Sequence, residues 1–133
     1  MLRTEVVAAR LSAGKGLEGL DAIAMAYVRF AINHPSYYRV MFGGFVDSRA
    51  KDPQFVVEAT ATFDVLVRTL VELQEDGLVR TDEPRQLARF VWATFHGVAM
   101  LGIDGQLKHQ HVDARELIQY VVDRLRPALV PGN

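Results

Sequence analysis

A chain of 133 residues, 50% hydrophobic and 23% charged, is long enough for one buried core and too apolar for intrinsic disorder. Its 15 Lys and Arg against 16 Asp and Glu give a formal net charge of -1, so no excess positive field serves a nucleic-acid backbone, and the lack of Cys excludes disulfides and thiolate chemistry. No apolar run reaches membrane-spanning length and charges interrupt the start at Arg3, Glu5 and Arg10, so a single domain over 1–133, with no membrane contact and a cytoplasmic location, is expected.

Gly and Pro punctuate the chain at spacings that fit helices rather than strands, and the fold class expected is all-α. Residues 2–11 form a first helix, released by the loose Ser12, Ala13, Gly14, Lys15, Gly16 segment. Over 20–33, Leu20, Ile23, Ala24, Tyr27, Phe30 and Ala31 recur at intervals of three and four and cover one helix face. Pro35 then holds His34 extended and ends that helix. Residues 36–42 make a short helix that crowds Tyr37, Tyr38, Met41 and Phe42 into two turns before Gly43 and Gly44, and so short a helix needs tertiary support.

A long helix is expected over 53–76, where Phe55, Ala59, Phe63, Leu66, Leu70 and Leu73 form a stripe and Gly77 supplies the stop. Val56, Val57, Thr60 and Val65 lower its intrinsic propensity, but the periodicity outweighs them. Thr81 or Asp82 can cap the next helix, 84–103, with Glu83 and Pro84 in its first turn. A last helix over 113–126 carries Leu117, Ile118, Val121, Val122 and Leu125 and is closed by Pro127. The sum is an antiparallel bundle of five to six helices.

The helix of 84–103 is apolar on two sides. Leu87, Val91, Thr94, Phe95, Val98 and Leu101 share one face, and Arg85, Arg89, Trp92, His96, Met100 and Ile103 the opposite one. Either the other helices surround it, or a second subunit covers one side. Gly97 would admit a close neighbour, although glycine in a helix interior costs about 1 kcal/mol relative to alanine. The expected dimer contact comprises Arg89, Trp92, His96, Gly97 and Ile103 with Ile118 and Val122 of the last helix, paired across a two-fold axis as a four-helix interface.

Aromatic and Met side chains from several elements could meet in one place. Phe30, Tyr37, Tyr38, Met41, Phe42, Phe63, Phe95, His96 and Met100 are the expected lining of a cavity for a mostly apolar or aromatic small molecule, with Phe45 and Phe55 nearby. Each alone is more commonly close-packed core; the short aromatic helix between His34, Pro35 and Gly43, Gly44 favours the cavity. His109, His111 and Asp113 lack further ligands for zinc, so no metal is expected. His96 has no neighbouring nucleophile or poised carboxylate, so catalysis is not expected, and Gly43, Gly44 lack the Lys and Ser or Thr of a phosphate loop, so no cofactor is expected either.

Two segments carry a resemblance. Ala26, Tyr27, Val28, Arg29, Phe30, Ala31 through His34, Pro35 and Tyr38, Arg39, Val40, Met41, Phe42 form the first; Trp92, Ala93, Thr94, Phe95, His96, Gly97, Val98, Ala99, Met100, Leu101 form the second. Together the sequence resembles the C-terminal domain of tetracycline-repressor-like (TetR family) transcriptional regulators, in the branch with a Trp, His, Gly signature. The resemblance implies a homodimer joined by the last two long helices and an effector cavity among the middle ones. Family members normally begin with a helix-turn-helix region, for which there is no room before Leu20, so DNA is expected to be reached only through a domain missing from this segment. Two other readings stay open: a free-standing helical dimer without a meaningful cavity, and a small helical enzyme using His96 in a titratable pair.

Overall fold

The computed structural model describes residues 1–42 and 53–132, and among them every regular element is helical. The elements are α1 (Leu2–Ala13), α2 (Leu17–Asn33), α3 (Pro35–Phe42), α4 (Pro53–Glu75), α5 (Pro84–Ile103), α6 (Gln106–His109) and α7 (Ala114–Leu129). The expected Gly43, Gly44 release and the aromatic Phe45 lie outside the described residues.

Among the described residues seven helices stand where five or six were expected. The addition is α6, a single turn entered through Gly105 in the left-handed region (φ 78°), between the helices expected over 84–103 and 113–126. Glu83, rather than Thr81 or Asp82, caps α5: its carboxylate accepts from the backbone N–H of Arg85 at 3.1 Å and of Gln86 at 2.7 Å. Pro127 does not close α7, which continues through it to Leu129. The donor a proline lacks would have bonded the carbonyl of Asp123, an exposed residue, so water can serve that carbonyl instead. Gly77 does stop α4; at φ 75° it lets the Leu78 N–H reach back to the Leu73 carbonyl at 2.9 Å.

The central helix is α2, which packs against α1, α3, α4, α5 and α7. Its buried positions include the apolar stripe expected from sequence, Leu20, Ile23, Ala24, Tyr27, Phe30 and Ala31, widened by Ala26 and Val28. α5 lies on one flank of it rather than at the centre. Gly102 makes that flank possible: a Cβ there would stand 2.8 Å from Ile32 Cδ1 on α2 and 3.0 Å from Ala114 Cβ at the start of α7. Phe90, near the start of α5, and Ala128, near the end of α7, line one groove. The two helices therefore run antiparallel. Arg126 of α7 pairs with Asp21 of α2, and Arg39 of α3 donates to the Ile103 carbonyl (2.8 Å) and to Asp104 (3.0 Å) at the end of α5.

Candidate functional site

Trp92 and His96, four residues apart on α5, project from one face towards α2 and α3. Tyr27 reaches them from α2 and Tyr38 from α3. The Trp92 indole N–H donates to the Tyr27 hydroxyl at 2.9 Å, the two tyrosine hydroxyls lie 2.6 Å apart, and the Tyr38 hydroxyl lies 2.6 Å from His96 Nδ1. Tyr27 itself stands 3.4 Å from the same nitrogen.

The direction of this row follows from counting protons. Indole can only donate, so Tyr27 accepts from Trp92 and has one proton to give. If it donates to Tyr38, Tyr38 donates to His96 Nδ1 and every hydroxyl is satisfied, with the imidazole proton on Nε2. A proton on Nδ1 would leave one of the two tyrosine protons without an acceptor in the row, whichever way the Tyr27–Tyr38 bond runs. The row therefore favours a neutral His96 with Nδ1 accepting, and burial, which disfavours the imidazolium, lowers its pKa. Burial likewise pushes both tyrosine hydroxyls well above the ordinary phenol range, so neither ionises near neutrality.

Rings enclose the row. Phe42 has its centroid 4.9 Å from Tyr38, 5.8 Å from His96, 5.9 Å from Trp92 and 6.0 Å from Tyr27. Phe63 of α4 meets Trp92 edge-on at 5.9 Å, and Phe95 lies 6.3 Å from Tyr27. Between Tyr27, Phe42, Thr62, Phe63, Trp92 and Phe95 remains a void of about 20 Å³, about enough for one water. Among the described residues this space is packed nearly shut, where the sequence led to the expectation of an open cavity.

Of the residues expected to line it, Tyr38, Phe42, Phe63, Phe95 and His96 are in this ring set. Phe30 and Tyr37 belong to a second one, in which Phe30 meets His34 and Tyr37, and Tyr37 meets Phe55. Met41 is buried and Met100 half-buried against the core. Sequence reasoning missed Tyr27 as the hub and gave Trp92 to the subunit contact. The spacing held the signal: a His96 that faces inwards carries Trp92, one turn before it, in the same direction.

The residues expected at a subunit contact separate in the same way. Trp92 and His96 face the row, Ile118 and Val122 are buried within the chain, and Ile103 is half-buried against the core. Arg89 is exposed, and a Cβ on Gly97 would meet nothing within 4 Å. The apolar side chains left outermost on α5 are instead Phe90 and Leu101, each 45% exposed, which with Ala93 and Gly97 recur every three or four residues. Beside them on α7, Leu117, Val121, Arg124 and Ala128 share one face, flanked by the 62%-exposed Tyr120. The Arg124 guanidinium covers the Tyr120 ring at 5.5 Å.

Among the described residues no group of three His, Asp or Glu side chains could hold a metal ion, and no helix is long and apolar enough to cross a membrane. Residues 20–125 match the family described as tetracyclin repressor-like, C-terminal domain. The chain belongs to this family. No curated protein matches the sequence. Among solved structures, a protein of unknown function from Rhodococcus sp. RHA1 is similar, with a TM-score of 0.85 and 27% identity over 97% of this chain and 67% of that one. As a tetracyclin repressor-like C-terminal domain the chain is a regulatory module rather than a catalyst.

Proposed function

We propose that this domain senses a mostly apolar small-molecule effector and pairs with a second copy of itself, within a TetR-like regulator that reaches DNA through another domain. One observation carries the reading: a single helix, α5, turns Trp92 and His96 into a ring-lined polar row and presents Phe90, Gly97 and Leu101 outwards. An effector that moves the inner face moves the outer one with it, as a rigid helix must. The pairing surface is the α5 stripe together with Leu117, Tyr120 and Val121 of α7, which makes four helices across a two-fold axis. Arg89 and Gly97 remain part of it; Trp92, His96, Ile118 and Val122 act from behind.

Sedimentation tests the pairing. The wild-type chain should run as a dimer at micromolar concentration and Leu101→Glu as a monomer, while Trp92→Phe, altered only inside, stays dimeric. Thermal shift against a panel of neutral aromatic and aliphatic compounds tests the sensing, with at least one compound expected to raise the midpoint.

The void of about 20 Å³ favours a second reading, a helical dimer that binds no small molecule. It predicts the same sedimentation result and no response to any compound.

A further inference from the structure

We propose that the Phe42 side chain is seated in the ring subsite of the effector pocket, and that the effector is an uncharged aromatic molecule whose single hydroxyl or N–H group donates to the Tyr27–Tyr38 pair. The inference rests on the sensing function proposed above and specifies its ligand.

Phe42 is the last residue of α3 and is only half-buried, yet it touches all four members of the polar row. It also borders the residual void. Turning its ring aside would join the ring's own volume to that void and open one space walled by Tyr27, Tyr38, Phe63, Trp92 and His96. An engineered apolar cavity of about 150 Å³ accepts benzene. A planar ring entering this space would inherit the offset and edge contacts that Phe42 makes now.

The chemistry of the row selects the ligand's polar group. In the satisfied orientation the protons of Trp92, Tyr27 and Tyr38 are all committed, whereas each tyrosine oxygen retains acceptor capacity. A ligand hydroxyl or N–H can therefore add to the row without breaking it, while a ligand that only accepts must displace an existing bond. Among the described residues no Asp, Glu, Lys or Arg side chain borders the void, and none of them offers a charged ligand a counter-charge there.

The test uses Phe42→Ala with four probes of similar size: phenol, toluene, anisole and benzoate. At about ten times its dissociation constant, phenol should raise the melting midpoint of Phe42→Ala by about 4 °C. Toluene and anisole should bind more weakly than phenol and benzoate should give no shift. Tyr27→Phe in the Phe42→Ala background should remove the advantage of phenol over toluene. Should Phe42→Ala fail to fold, Phe42→Val takes its place with the same probes and the same expected order. Absence of any response to phenol and toluene in the folded variant overturns the seat assigned to Phe42, and a benzoate response equal to that of phenol overturns the ligand class. A wild-type chain that responds to a panel compound while the variant ignores phenol leaves the sensing function standing without this inference. If neither chain responds to any compound, the sensing function falls as well.

Discussion

His96 is the one side chain in the row whose ordinary pKa lies near neutrality, and a proton on Nδ1 would turn that nitrogen from acceptor to donor in its bond with Tyr38. Because burial lowers its pKa in the folded chain, the unfolded chain binds the proton more readily. Its contribution to stability is therefore fully present above the ordinary histidine pKa of about 6.5 and is lost as pH falls through the lower folded value. Chemical denaturation between pH 7.5 and 5 should show wild-type stability falling, and His96→Gln should flatten that part of the profile. Tyr27→Phe should cost about 1–3 kcal/mol at neutral pH, since it leaves the Trp92 indole N–H without its acceptor. A Tyr27→Phe chain as stable as wild type would show that the row contributes nothing to the fold.

At the scale of elements, the two glycines of α5 behave differently although they share one helix. Gly102→Ala places a methyl group 2.8 Å from Ile32 Cδ1 and 3.0 Å from Ala114 Cβ. The isoleucine end can yield and the Ala114 Cβ cannot, so overpacking of about 1–3 kcal/mol outweighs a gain in helix propensity of about 1 kcal/mol. Gly97→Ala meets open space and should stabilise a single chain by up to about 1 kcal/mol while weakening self-association. Urea denaturation of each variant below the dimer dissociation constant, beside sedimentation above it, separates the two effects. Helix order, the α2 and α4 stripes and the Gly77 stop were legible because apolar periodicity and backbone freedom act locally. The side of α5 that faces outwards was not, because Trp92 and His96 are amphipathic and their direction depends on Tyr27 and Tyr38, which approach from distant parts of the chain. Gly97 drew notice over Gly102 for a related reason: propensity marks every helical glycine as costly, and only the helix crossing shows which one a neighbour requires.

Across the whole molecule, one helix joins the faces proposed for sensing and pairing, so under that proposal the two binding events should be linked. Linkage requires any effect of an effector on dimerisation to equal the effect of dimerisation on effector affinity. Once a panel compound is in hand, its affinity per site for wild type and for the monomeric Leu101→Glu chain should differ by the square root of the factor by which saturation changes the dimer constant, since a dimer carries two sites. Equal affinities, with a dimer constant that the compound leaves unchanged, would show that α5 does not couple the two events. The ring cluster around Trp92 and His96 was only partly legible from sequence. Aromatic composition indicated where rings gather, whereas their close packing into a space of about 20 Å³ is a property of the assembled core.

The sequence contains one tryptophan, and it stands in the row: its indole is bonded to Tyr27, faces Phe42 and Phe63, and lies 5.5 Å from the His96 ring. The domain thus carries an internal optical reporter at its most informative position. Emission from Trp92 should dim as the neighbouring imidazole gains a proton and shift in wavelength when Phe42 is moved aside, so acid titration and ligand entry can be followed without attaching a dye.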